Sequence, residues 1–131
     1  GGLGAGFLAF SCCQMRPGAE IVIEESRLAE KLAGADYVFT GEGGIDFQTK
    51  FGKTPYAVAQ EAKKAGVPVI ALAGQVGKGS ESLYEAGFAA IFGILPGVCS
   101  LNEALEDGAA NLARTSENVA RVIKASRSDL Q

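Results

Sequence analysis

The segment DYVFTGEGGIDFQTKFGKTPYAVAQEAKKAGVPVIALAG, residues 36–74, reads as a strand, a glycine-rich loop, a helix and a second strand in succession. The apolar residues 36–40 predict the first strand, and the apolar residues 67–74 predict the second. Between them the stretch 54–66 predicts a helix with Thr54 as its N-cap, Pro55 at its first position and Gly66 just beyond its end. Two strands joined through a helix are expected to lie parallel in one sheet.

The sequence after this segment repeats the alternation. It predicts a short helix over 80–86, a strand over 88–95 and a long amphipathic helix over 101–125, which a capping box of Ser100 and Glu103 begins. The apolar face of the long helix is expected to consist of Leu101, Ala104, Leu105, Leu112, Val119 and Val122. This order predicts an α/β fold, a three-layer Rossmann-like or flavodoxin-like domain with a parallel sheet.

The sequence before residue 36 is less regular. Residues 2–14 are small and apolar and predict a helix buried against the sheet. Residues 26–33 favour a helix, whereas the β-branched residues 21–23 are compatible with helix or strand. No linker divides the chain, so we expect one domain over residues 1–131. Three strands make only a narrow sheet, and an exposed edge, a partner such as a second copy of the chain, or missing sequence is therefore expected.

Composition narrows the classes of function. The 131 residues are 47% hydrophobic with a net charge of −3, which makes nucleic acid an improbable partner. No apolar run has the length of about 18–20 residues that a membrane span needs, and no signal peptide is evident. The odd count of three cysteines, Cys12, Cys13 and Cys99, favours buried thiols of a cytoplasmic protein over disulfides. The chain has no histidine, so acid–base chemistry must use other side chains or groups from outside it. It also lacks an initiator methionine, and we expect it to be part of a longer protein.

Two familiar phosphate-binding motifs fail on spacing. Gly52-Lys53-Thr54 resembles the end of a Walker sequence, but Phe47 stands where that motif needs glycine. The opening glycines of residues 1–6 fail as a dinucleotide fingerprint, because Phe7 occupies the third glycine position. Those glycines favour either an anion at a helix N-terminus or close helix–sheet packing, and the sequence does not choose between the two.

The remaining chemistry lies in residues 40–53, one of three loops expected at the carboxyl ends of the strands. Gly41, Gly43 and Gly44 predict a tight turn whose amides bind an anion. Glu42 and Asp46 are carboxylates suited to Mg²⁺ or to deprotonating a hydroxyl.

Within the same loop, Lys53 could neutralise phosphoryl charge, and Gln48 and Thr49 offer hydrogen bonds to a polar ligand. A solvated turn with no ligand explains each residue singly, and only their clustering favours a site. Lys78 and Cys99, on the other two loops, are weaker candidates.

Three blocks of the sequence together resemble the C-terminal part of the bacterial glycerate kinases without a P-loop. They are GGLGAGFLAF, the segment that ends in VIALAG, and SLNEALEDGAANLARTSENVARVI. The most specific block is TGEG-x-ID-x-Q-T-x-x-GK-x-P, within residues 40–55. The chain departs from the family pattern at Gly44, where arginine is common. The absence of that arginine could remove a contact to phosphate or carboxylate. It departs again at Phe51, where histidine is common.

The resemblance implies a split Rossmann-like domain in an enzyme of about three times this length. It implies ATP-dependent phosphorylation of D-glycerate with Mg²⁺, in a cleft to which this chain contributes one wall, so that the isolated chain is expected to be inactive. Asp46 and Lys53 are the expected catalytic residues, with Asp46 and Glu42 on the metal. The expected binding residues are Gly41, Glu42, Gly43, Gln48, Thr49 and Gly52. A non-catalytic nucleotide-binding or partner-binding module is the alternative.

Overall fold

The computed structural model describes residues 2–12 and 14–128. Its elements in chain order are helices α1 (Gly2–Phe10), α2 (Gly18–Glu25) and α3 (Leu28–Lys31), strand β1 (Val38–Ile45), a 3₁₀ helix (Phe47–Lys50), helix α4 (Thr54–Lys64), strand β2 (Val69–Val76), a second 3₁₀ helix (Ser80–Ala86), strand β3 (Phe88–Gly93) and helices α5 (Leu101–Glu106) and α6 (Gly108–Ser128). The ambiguous residues 21–23 are helical.

The three strands form a parallel sheet in the order β1-β2-β3. Val38 of β1 pairs with Val69 of β2, which in turn pairs with Phe88 of β3. The predicted α/β fold with a parallel sheet is therefore confirmed. All three strands point the same way, so the segments that follow them meet at one edge of the sheet, where ligands of parallel sheets bind.

Helices cover both faces of β2, which gives the predicted three layers. On one face Val69 and Ala71 pack with Ala59 and Ala62 of α4, and all four residues are completely buried. Small alanines on α4 let the helix lie close to the sheet. On the other face Ile70 and Leu72 pack against α6, where Val119 is buried.

Strand β1 runs through the glycine-rich segment that the sequence predicts to be a turn. Gly41 pairs with Leu72 and Gly44 with Gln75, and none of the three glycines of the segment has a positive φ. The prediction of a tight turn with anion-binding amides at Gly41–Gly44 is therefore wrong. Close contact between strands explains Gly41 of this segment and Gly74 of β2. A Cβ on Gly41 would lie 2.9 Å from the Leu72 carbonyl oxygen, and one on Gly74 would lie 2.6 Å from that of Gly43.

We expect Gly74→Ala to destabilise the protein, because its Cβ would meet a backbone oxygen that cannot move without parting β1 from β2. Overpacking of this kind typically costs about 1–3 kcal/mol, and thermal denaturation of the full-length protein would show a lower midpoint. Gly43→Ala is the matched control, since a Cβ there has no atom within 4 Å. Equal midpoints for the two variants would contradict this account of Gly74.

Several apolar residues predicted to be buried are exposed in this chain. Helix α1 has no buried residue, and Leu3 and Phe10 are 81% and 92% exposed, so the predicted packing of this helix on the sheet is not observed. Cys12 is also exposed, contrary to the prediction of a buried thiol, and Cys13 lies outside the described residues.

The long C-terminal helix differs from its prediction in two ways. It breaks at Asp107 into α5 and α6, although the predicted capping box is present: the Ser100 hydroxyl and amide donate to Glu103 Oε2 at 2.7 and 2.8 Å. The Ser100 hydroxyl, and then its amide, lower the pKa of the Glu103 carboxyl. Of the predicted core face Val119 is buried and Ala104 half-buried, whereas the four others are exposed: Leu101, Leu105, Leu112 and Val122.

Among the helices of the described residues, each falls short of the length or the hydropathy that a membrane span requires.

Candidate functional site

Asp46 begins a rigid turn directly after β1. Its Oδ1 accepts a hydrogen bond from the Gln48 amide at 2.9 Å, and its own amide donates to Thr49 Oγ1 at 3.2 Å. These bonds form a capping box for the 3₁₀ helix, and Thr49 is completely buried. The turn thus fixes Asp46 at the carboxyl end of β1.

The loop after β2 packs against this turn, which the sequence did not reveal. The Phe47 amide donates to the Lys78 carbonyl at 3.4 Å. A Cβ on Gly77 would lie 2.9 Å from Asp46 Cβ, and one on Gly79, where φ is +76°, would lie 2.9 Å from Phe47 Cβ. The glycines of GQVGKGS therefore let the loop after β2 support Asp46. The spacing of these glycines is the feature of the sequence from which this contact could have been predicted.

Lys53 is held next to the same strand. Its Nζ donates to the Gly44 carbonyl at 3.1 Å, and the side chain is half-buried. Lys53 is also the N-cap residue of α4, one position before the predicted cap Thr54. Gly52, with a φ of +92°, supplies the left-handed conformation between the 3₁₀ helix and α4. The amino group thus lies against the end of β1.

Gly44 is not required by the backbone. A Cβ there would have its nearest atom, the Gln75 carbonyl oxygen, at 4.0 Å, which is an ordinary contact. A longer side chain such as arginine would therefore meet no backbone clash at its Cβ. Nothing in the structure explains why glycine stands here.

The candidate residues border two different hollows. The strand-end hollow, of about 700 Å³, lies over the second halves of β1 and β2 and against α5 and α6, and Gly41, Glu42 and Gly43 line it. The charged hollow, of about 770 Å³, lies between α2, α3 and α4, and Gly52 and Lys53 line it. The structure therefore brings Asp46, Gln48 and Thr49 together and Lys53 against Gly44, but it assigns Glu42 and Lys53 to separate hollows.

The charged hollow carries its own ion pairs. Arg16 Nη2 lies 2.6 Å from Glu24 Oε2, and Lys64 Nζ lies 2.7 Å from Glu61 Oε2. Four of its basic groups besides Lys53 are Arg16, Arg27, Lys50 and Lys64. Three of those four pair with glutamates and Lys50 lies over the Phe51 ring, whereas Lys53 donates to the Gly44 carbonyl of β1.

Residues 1–124 match the sequence profile described as the glycerate kinase family. The chain belongs to the glycerate kinase family. It is 47% identical over 122 residues to the glycerate kinase of Halalkalibacterium halodurans, which covers 93% of the chain and 32% of that relative. It is 37% identical over 123 residues to the glycerate 2-kinase of Escherichia coli K12, covering 94% of the chain and 32% of the relative.

A solved structure agrees with these relatives of the glycerate kinase family. The crystal structure assigned as glycerate kinase 2 of Salmonella typhimurium LT2 matches with a TM-score of 0.73 and 41% identity. The match covers 98% of this chain and 32% of that one. The chain thus spans about a third of the length of the glycerate kinases that it matches. The resemblance seen in the sequence is confirmed.

In this glycerate kinase family chain the residues available for a metal are carboxylates of the strand end. Within residues 2–12 and 14–128 no three His, Cys, Asp or Glu side chains gather as a metal site. Asp46 directly follows β1 and Glu42 lies within it, and magnesium in proteins is usually held by one or two carboxylates plus substrate phosphates.

Proposed function

We propose that this chain is the C-terminal part of a glycerate kinase that transfers the γ-phosphoryl group of ATP to D-glycerate. Membership of the glycerate kinase family supports the reaction class. The observation that carries the proposal is the fixed turn at the end of β1, where hydrogen bonds of a capping box hold Asp46 and Lys53 lies against Gly44. A carboxylate and an ammonium group at one strand end suit phosphoryl transfer, where positioning and charge neutralisation supply most of the rate.

In this reaction a glycerate hydroxyl oxygen attacks the γ-phosphorus, and the bond from that phosphorus to the β-phosphate oxygen breaks. ADP leaves, and phosphoglycerate carries the transferred group. Asp46 takes the hydroxyl proton or holds the metal side of the phosphates, and Lys53 neutralises charge on the transferring group. Gly41, Glu42, Gly43, Gln48 and Gly52 contribute the binding surface.

Thr49 acts by positioning. Its side chain is completely buried, and its hydroxyl oxygen accepts the hydrogen bond from the Asp46 amide. A buried hydroxyl cannot touch a ligand that arrives from solvent, so its effect on substrate passes through Asp46. A bound Mg²⁺ would supply charge neutralisation for the phosphates, and Asp46 is the residue that would hold it, with Glu42 as the second candidate.

The whole site needs the rest of the enzyme. The chain spans about a third of its relatives and leaves the apolar residues of α1 exposed. We propose that residues 1–131 form one Rossmann-like domain, the C-terminal part of a split domain, and that the preceding part of the enzyme supplies the opposite wall. The isolated chain is then inactive, the working protein is cytoplasmic, and the sheet edges leave room for a homo-oligomer.

The test is a coupled assay that follows ADP release with ATP, Mg²⁺ and D-glycerate, and it compares the full-length protein with residues 1–131 alone. Turnover by the full-length protein only is the expected result. Turnover by the isolated chain would refute the one-wall proposal. Nucleotide binding with no turnover by the full-length protein would instead favour the non-catalytic module, which family membership does not favour.

A further inference from the structure

The strand-end hollow has the character of a small-molecule site. Its volume of about 700 Å³ lies within the range of about 300–1,000 Å³ typical of ligand pockets. All three strands lead into it, through Gly41–Gly43 after the middle of β1, Gly74–Gln75 at the end of β2, and the segment 94–101 after β3. Ligands of parallel sheets bind at this edge.

The walls of the hollow are apolar. Ile94 and Leu95 line it from the segment after β3, and Leu101 and Leu105 line it from α5. Leu101 and Leu105 are 73% and 71% exposed, which is unusual for leucines that share one face of a helix. A ligand with a flat apolar surface would remove these side chains from water.

The hollow is also fastened to the sheet. The Ile94 amide donates to the Ala73 carbonyl at 2.9 Å, and Arg114 Nη2 of α6 donates to the Ile94 carbonyl at 2.7 Å. Its outer side therefore keeps a fixed distance from β2. A preformed pocket of this kind does not need to be ordered when a ligand binds.

Resting on the proposed kinase function, we propose that the strand-end hollow binds the adenine base of the nucleotide. The two substrates differ in chemistry: adenine is a flat heteroaromatic ring, whereas glycerate carries only hydroxyl and carboxylate groups on three carbons. An apolar hollow of this size matches the ring. The polar turn at Asp46 and Lys53 is left for glycerate and the phosphates.

Two polar side chains at the hollow fit the edge of a base. Gln75 offers both an amide donor and a carbonyl acceptor, which can pair with the ring nitrogen and the exocyclic amine of adenine. Glu42 offers a carboxylate acceptor for that amine or for a ribose hydroxyl. In this arrangement Glu42 serves the nucleoside, which leaves Asp46 as the carboxylate of the metal side.

The distance along β1 agrees with this arrangement. Gly43 borders the hollow, and Asp46 follows three residues later, about 10 Å farther on at a rise of about 3.3 Å per residue. The ribose and phosphate chain of a nucleotide can bridge such a separation. The base at the hollow and the γ-phosphate at Asp46 therefore lie along one strand.

Cys99 allows a direct test, because it lines the hollow and is a half-buried free thiol. We expect adenosine, and ADP with Mg²⁺, to slow the labelling of Cys99 by iodoacetamide in the full-length enzyme. At about ten times Kd the labelling rate should fall by about tenfold. Peptide mass spectrometry reads each thiol separately, and the exposed Cys12 serves as the internal control. Glycerate alone should leave the Cys99 rate unchanged.

Three results would overturn the proposal: a Cys99 rate that neither adenosine nor ADP changes, protection by glycerate alone, or no labelling of Cys99 in the ligand-free enzyme. The last would mean that another part of the enzyme fills the hollow. Leu105→Ser is a second variant that should still fold, since its side chain is exposed. We expect it to raise KM for ATP by about tenfold and to leave KM for glycerate unchanged.

The ADP-release assay on the same preparation separates the two proposals. Kinase turnover with an unprotected Cys99 would refute the adenine site and leave the kinase function standing. A protein that neither turns over nor protects Cys99 would refute both.

Discussion

Replacing Asp46 by asparagine in the full-length enzyme is expected to lower kcat by about 10²–10⁴-fold, the range for losing a general base. The amide keeps a side-chain oxygen that can accept the hydrogen bond from the Gln48 amide, as Oδ1 does now. The 3₁₀ helix should therefore remain capped. The variant removes the negative charge and the proton acceptor while it preserves the turn.

Steady-state kinetics with ATP and glycerate would check this prediction, with circular dichroism and the thermal midpoint as measures of the fold. Glu85→Gln is the matched control, because Glu85 is exposed and precedes β3, at the opposite edge of the sheet from the strand ends. It should retain full activity. Near wild-type turnover of Asp46→Asn would remove Asp46 from the mechanism.

Replacing Lys53 by methionine should have the next largest effect, a loss of about 10²–10³-fold in kcat/KM, as for the removal of one group that stabilises developing charge. Methionine retains much of the length of the half-buried side chain but loses the charge and the hydrogen bond to the Gly44 carbonyl. Because Lys53 is proposed to neutralise charge on the phosphoryl group during its transfer, we expect the loss to appear in kcat.

Lys53→Arg tests whether charge alone suffices. It should recover part of the activity, because guanidinium keeps the charge but not the compact geometry of ammonium. Lys31→Met, at an exposed position of α3, is the control for removing a surface charge and should behave as wild type. A Lys53→Met variant that matches Lys31→Met would contradict a role for Lys53 in the reaction.

Sequence patterns predicted the helices and strands well where local chemistry dominates. Pro55 near the start of α4 and the capping box at Ser100 each correspond to observed helix starts, and the apolar runs correspond to β1, β2 and β3. The glycines of β1 led to the wrong prediction of a tight turn, because glycine occurs both in tight turns and where two backbones approach closely. Only the position of Leu72, far along the chain, distinguishes these uses at Gly41.

Only part of the candidate site could be predicted, because the sequence shows residue types but not contacts between distant segments. Asp46 and Lys53 stand out by residue type, and the structure gives both a fixed place at the end of β1. The support that Gly77 and Gly79 give to Asp46 depends on contacts between loops that are distant in sequence. The apolar period of α5 likewise predicts a face that needs covering, but periodicity cannot tell a ligand from a protein surface.

The extension of β1 through Gly41–Gly44 has a thermodynamic consequence. A glycine loop that closed over a ligand would lose conformational entropy at each binding event, whereas a strand hydrogen-bonded to β2 has already lost it during folding. Association at this wall should therefore carry little entropic penalty from the protein backbone. Among residues 41–45, the amides that donate to β2 should then exchange slowly in the ligand-free enzyme and change little upon binding.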